Sequence, residues 1–385
     1  MRRLALTTTA LLASALLIAG CAATDTTALS STSTMSSAEA DSETTSTTST
    51  SDSSGDIDWS SLPTTDVTLT ADGLTITEAG TYVLTGTTTG QVVVDSDGYV
   101  RIILDGVTID SAAGAAIQVD NAETTVVELA EGTTNSVSDA ATRSDEEIDG
   151  TIYSSDDLII TGAGTLNVTA DFADGIVGKD DLRIESGTIT VTSADDGIRG
   201  TDSLTIDGGT ITIDAAGDGL KSSNDTDLGA GQLVITGGDI TIVTGDDAVK
   251  AEQQIAITGG TIDIAESVEG IEAPVIVIDG GDITVNSSDD GINAAASGII
   301  TSGLSITING GDITVVMGAG DTDAIDSNGD LAITGGTLDI TAQSAFDFDG
   351  TGTLTGGDIT VNGETVTELS SQMMGGGGQG GGGPR

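Results

Sequence analysis

The sequence predicts an all-β protein: a single-stranded parallel β-helix of about 21–22 residues per coil, with an irregular β cap at its N-terminal end. The prediction rests on an internal repeat and on the alternation of apolar residues within it. Aligned on the turns that end in Gly187, Gly209, Gly238, Gly260, Gly281, Gly311, Gly336 and Gly357, every unit carries Ile or Leu two residues later and Ile or Val four residues later. Three residues before each turn stands Ile184, Ile206, Ile235, Ile257, Ile278, Ile308, Ile333 or Leu354. Period-two alternation on both sides of a glycine turn means two short strands, each with one apolar face. A third short strand follows an Asp-Gly turn, as in Gly197-Ile198-Arg199-Gly200. Three strands and three turns make one coil, and stacked coils turn the isoleucines into internal ladders. A helical repeat is excluded because no apolar set recurs at 3.6 spacing, and a nonapeptide calcium roll because the period is not nine. The glycine pairs serve turns that need positive φ. The segment from Ile57 to Asp139 is strand-like but irregular, so it is read as cap and first coils, with Trp59, Tyr82 and Tyr99 as cap core.

The flanks divide the chain further. Residues 1–21 read as a lipoprotein signal: Arg2 and Arg3, an apolar stretch, then Ile18-Ala19-Gly20-Cys21 as the lipobox. Cys21 is the only cysteine of the 385 residues, placed where lipidation needs a thiol. Residues 22–60 form a Ser/Thr-rich linker, 61–370 the β-helix, and 371–385 a glycine-rich tail. The expected location is extracellular, on the bacterial surface, with the lipid as the only membrane contact and the protein a monomer.

Composition excludes several chemistries. With no histidine there is no imidazole base and no Ser-His-Asp triad. A formal charge of −51 (61 acidic against 10 basic residues) excludes nucleic acid as a partner.

Nine residues beyond five successive turns an acid recurs: Asp196, Asp218, Asp247, Glu269 and Asp290, with Asp174 and Asp323 in slightly shifted register. Asp195, Asp246 and Asp289 double it. Stacked coil on coil, these carboxylates lie about 5 Å apart, and two such charges repel by roughly 3 kcal/mol at an effective dielectric of 20. Calcium relieves this, because oxygens each about 2.3–2.6 Å from one ion sit within that span. All ten acids are therefore candidate Ca2+ ligands. Arg199, Lys221 and Lys250 follow three residues after successive column acids, and they are the candidate glycan-binding residues. No catalytic residue is assigned.

The run Asp174-Gly175-Ile176-Val177-Gly178-Lys179-Asp180-Asp181-Leu182, then Asp195-Asp196-Gly197-Ile198-Arg199-Gly200, then Asp218-Gly219-Leu220-Lys221-Ser222-Ser223-Asn224-Asp225 resembles the bacterial extracellular carbohydrate-binding β-helix domain family. Asp323-Ala324-Ile325-Asp326-Ser327-Asn328-Gly329 and Phe346-Asp347-Phe348-Asp349-Gly350 are similar to its C-terminal coils, and the resemblance runs from about Asp66 to Asn362. It implies a calcium-loaded β-helix shaped like the pectate lyases, with affinity for cellulose or acidic plant polysaccharide. The last coils are abbreviated relative to that pattern. The expected function is polysaccharide binding without turnover; a calcium-dependent polysaccharide lyase and a purely structural or adhesive surface protein are the alternatives. Against the lyase stands the environment of the lysines: among carboxylates their pKa rises, the wrong direction for a base.

Overall fold

The computed structural model describes residues 53–318 and 322–371. The signal sequence, Cys21, the linker before Ser53 and the glycine tail from 372 onward lie outside the described residues.

The described chain is a parallel β-helix with three faces. The first face holds the strands that follow the Asp-Gly turns, such as Asp174–Gly178, Ile198–Gly200, Leu220–Ser222 and Val249–Ala251, in a sheet of twelve. The second and third faces hold the strands before and after the glycine turn, such as Ser203–Ile206 and Thr210–Ala215. Coils stack parallel and in register, so that Ile189 lies over Ile211 and Ile211 over Ile240. The isoleucines that define the repeat, from Ile184 to Ile333, are buried in one continuous core. Like side chains therefore pack on like, and the coil length is fixed by ladders that leave no slack.

All eight repeat glycines adopt positive φ, between 84° and 117°. A Cβ would strain each turn. The Asp-Gly glycines answer a different need. Gly197 and Gly219 do not have positive φ, but a Cβ on either would come 2.6 Å from the carbonyl oxygen of the next coil. Close approach of backbones, not dihedral freedom, requires glycine there.

The N-terminal segment is more regular than its sequence suggests. Thr64–Leu69 pairs parallel with the strand Gly80–Thr88, which pairs parallel with Val100–Asp110. These two long strands run through both the second and third faces with only a register shift between Leu84 and Gly86. They lack the Gly-Gly signature of the later coils. Trp59 and Tyr99 are not cap core: both are half-buried and meet edge to face at 6.5 Å, with Arg101 over the indole. Contacts reach back to Ser54, in the segment assigned to the linker, whose amide donates to Glu185 at 2.8 Å.

At the other end, Asp358–Val361 folds back on Glu364–Val366 as an antiparallel hairpin. Its turn is Asn362-Gly363, both at positive φ, the pair that such a two-residue hairpin favours. The hairpin covers the last coil's edge, which would otherwise offer unpaired backbone to another chain.

Candidate functional site: an acidic ridge along the first face

The first-face strands from Asp174–Gly178 to Asp323–Ser327 are entered at or just after the column acid, and register stacks these acids coil on coil. Asp174, Asp196, Asp218 and Asp247 are buried. Their Oδ1 atoms form a ladder of their own. Asp174 accepts from the backbone N–H of Asp196 at 3.1 Å, Asp196 from that of Asp218 at 2.9 Å, and Asp218 from that of Asp247 at 3.0 Å. Asp290 repeats the contact with the N–H of Asp323 at 2.9 Å. These carboxylates tie one coil to the next. The first members of the doublets, Asp195, Asp246 and Asp289, are exposed.

The other oxygens meet the bases. Arg199, Lys221 and Lys250 occupy one outward column, with Arg199 over Lys221 and Lys221 over Lys250. Arg199 donates to Asp174 Oδ2 through Nε at 2.8 Å and through Nη2 at 2.6 Å, lies 3.7 Å from Asp196, and also pairs with Asp149. Lys221 Nζ sits between Asp218 Oδ2 at 2.7 Å and Asp196 Oδ2 at 3.0 Å. Lys250 Nζ sits between Asp247 Oδ2 at 2.5 Å and Glu272 Oε1 at 3.4 Å. All three cations are thus engaged within the protein. Arg199 is buried, whereas Lys221 and Lys250 keep about a quarter of their side chains exposed.

Beyond Lys250 the ridge changes character. No lysine or arginine follows before Arg385. The outward column continues as Glu272, Asn293, Asp326 and Asp347, beside the acids Glu269, Asp290 and Asp323. The rule that locates the three bases, three residues past the column acid, also lands on Glu272, Asn293 and Asp326. It marks a position, and the charge found there reverses.

Electrostatics follow that division. Burial raises Asp174 and Asp247 to about 6, against the opposing pull of Arg199 and Lys250. Burial, with the charges of Asp290, Asp323 and Asp347, raises Asp326 to about 7. Burial and the shared hydrogen bond and charge of Glu272 hold Glu269 well above the carboxylate range. For Lys221, burial works against the charge, but Asp196 and Asp218 more than offset it and raise the ammonium above its ordinary value. Lys250 behaves alike beside Asp247 and Glu272.

Two oxygen clusters have the dimensions of a cation site. Asp218, Asp246 and Asp247 bring one oxygen each within 4.8 Å of one another, as do Asp247, Glu269 and Glu272. Asn293 lies next to the second. Its Nδ2 donates to Glu269 Oε2 at 3.0 Å, while its buried Oδ1 has no hydrogen-bond partner. An all-oxygen donor set with an orphaned amide oxygen fits a hard cation such as calcium.

The β-helix thus carries an ordered ridge of charge along its first face. The model of the family described as carbohydrate-binding domain-containing protein matches residues 70–322. The chain belongs to that family. A relative of the same description from Acetivibrio thermocellus is 39% identical over 124 residues, covering 30% of this chain and 43% of the relative. The chain thus matches less than half of that relative's length. A solved structure described as a polysaccharide lyase-like protein from C. thermocellum, a gadolinium derivative, is 28% identical with a TM-score of 0.44, covering 74% of this chain and 92% of the other.

Proposed function

We propose that this chain binds acidic polysaccharide without cleaving it, through calcium held on the second half of the ridge. The single observation that carries the reading is the change at Lys250: internal bases pair the buried column acids up to Asp247, and no base follows in the sequence before Arg385. Of the acids predicted as ligands, Asp174, Asp195, Asp196 and Asp218 lie beside Arg199 and Lys221. The proposal therefore centres on Glu269, Asp289, Asp290 and Asp323, joined by Asp326, with Asp246 at their border and Asp247 and Glu272 shared between the ion and Lys250. Bound there, calcium would supply positive charge to a uronate carboxylate. Arg199 serves as an internal strut, while the part-exposed Lys221 and Lys250 border the glycan.

Binding is favoured over turnover by the state of these lysines. Both are held more firmly protonated than free lysine, so neither is a base for proton abstraction near neutral pH. The test is direct, because elimination leaves an unsaturated uronate that absorbs in the ultraviolet. Incubated with polygalacturonate and calcium at neutral and alkaline pH, the protein should sediment with the glycan while absorbance stays flat. Glu272→Gln should weaken the sedimentation. A calcium-dependent rise in absorbance would make the chain a lyase.

The lipid anchor belongs to the same proposal, and Cys21 lies outside the described residues. Cys21→Ser should release the protein from the membrane fraction or leave its precursor uncleaved. Unchanged mass and localisation would remove the anchor from the account.

A further inference from the structure

The outward column of the first face does not begin with Arg199. Read toward the N-terminus it continues through Val177, Tyr153, Gln118 and Val93. Val177 and Tyr153 point outward yet are buried, together with Ala115, beneath Ile148. Ile148 belongs to the connection that runs from Asp139 to Gly150, and that connection is pinned. Arg143 pairs with Asp139, donates to the carbonyls of Ile148 and Gly150, and stacks its guanidinium 4.7 Å from the centre of Phe172. Arg199 fastens the far end through Asp149. A fixed wall therefore separates the ridge from whatever lies on its N-terminal side.

On that side is a cavity of about 220 Å³, lined by Gln91, Gln118, Ala113, Gly114, Asp145 and Arg143 among others. Its polar side chains are the neutral amides of Gln91 and Gln118, the hydroxyl of Ser144, the exposed acid Asp145 and Arg143. Gln91 Nε2 donates to the Ala115 carbonyl at 3.0 Å and to Gln118 Oε1 at 3.2 Å, which leaves Gln91 Oε1 to accept. Gln118 Nε2 donates to Asp120 at 2.6 Å and keeps a second hydrogen. The lone base, Arg143, has a side chain only 2% exposed and is neutralised by Asp139, while its Nε is buried without a hydrogen-bond partner. Gly114 leaves the space open: a Cβ there would come 2.9 Å from Gln91 Nε2.

These features select against a charged ligand and for a compact one rich in hydroxyls. Asp145 repels a carboxylate, no exposed cation attracts one, and paired amide donors and acceptors match vicinal hydroxyl groups. We propose that this cavity seats a single uncharged pyranose ring of a neutral glycan, as a binding site separate from the acidic ridge. It rests on the reading of the chain as a glycan binder and gives neutral glycan its own seat on the same face, apart from the ridge.

The test is calorimetric titration of the full chain, in calcium, with cellohexaose, mannohexaose and xylohexaose, and in parallel with polygalacturonate. Gly114→Val fills the cavity and Gln91→Ala removes its free acceptor; thermal melting confirms that each variant is folded, and the second stands if the first is not. At least one neutral oligomer should bind the parent and bind either variant about tenfold more weakly, the loss of one or two hydrogen bonds, with polygalacturonate unaffected. If no neutral oligomer binds while polygalacturonate does, this site is wrong and the ridge reading survives. Equal binding of the neutral oligomer by parent and variants, or a parallel loss of polygalacturonate, also overturns it. If neither glycan class binds, both proposals fall.

Discussion

Arg199→Leu is expected to lower the unfolding free energy by about 3–5 kcal/mol at pH 8, the usual consequence of leaving buried charge without its partner. The side chain is buried, makes two hydrogen bonds to Asp174 and joins Asp149 and Asp196 to the same guanidinium. Its loss strands the buried Asp174 and takes from Asp196, one coil on, the more distant of its two bases, Lys221 remaining at 3.0 Å. The deficit should shrink on acidification. Asp174 has a folded-state pKa raised to about 6 by burial even with Arg199 present, and higher without it. A carboxyl raised above its unfolded value contributes stability that is complete below the unfolded pKa and lost as pH rises through the folded one. At pH 5 Asp174 takes up its proton and the variant approaches the parent. Arg199→Lys should recover only part of the loss, because a single ammonium cannot fork between Asp149 and Asp174. Urea midpoints at the two pH values measure this; equal midpoints for parent and Arg199→Leu at pH 8 would show that the guanidinium holds nothing together.

The solenoid was legible because its coils repeat with one side chain per position: isoleucine three before, two after and four after the turn. Stacking then follows from the spacing alone, and so does the alignment of Arg199, Lys221 and Lys250. What the acids do was less legible. That Asp196 spends Oδ1 on the amide of Asp218 depends on a one-coil offset between backbones, which spacing does not display. That Arg199 reaches Asp149 depends on where an inserted connection folds, across fifty residues of chain. Glu272 and Asp326 sit in a column that its bases define, and nothing in the spacing marks a role for them once the sign changes. Gln91 and Gln118 come from early coils whose strands pass through the bend without the glycine pair, so no repeat fixed their register. Trp59 and Tyr99 were assigned to the core on apolarity, but a half-buried aromatic pair crossed by Arg101 satisfies the same rings at the surface.

The second large effect is expected from the cation. Calcium bound to the folded ridge but not to the unfolded chain adds about 4 kcal/mol per site once its concentration is a thousand times the dissociation constant. Without it, Asp247, Asp326 and Glu269 are carboxyls of raised pKa, two of them at about 6 and about 7. Each contributes stability below pH 4 that is lost as pH climbs through its folded value, so the calcium-free protein should weaken steadily from pH 4 toward pH 9. Calcium works in the opposite sense, since it needs deprotonated oxygens and competes with those same protons. Glu272→Gln removes one ligand and also lowers the pressure on Glu269, so it should stabilise the calcium-free protein while diminishing the response to the ion. The most direct test of the account is the difference in melting temperature between calcium-loaded and chelator-treated protein, measured at pH 5 and at pH 8. The account predicts a large difference at pH 8 that nearly disappears at pH 5; identical melting with and without calcium at pH 8 would contradict it.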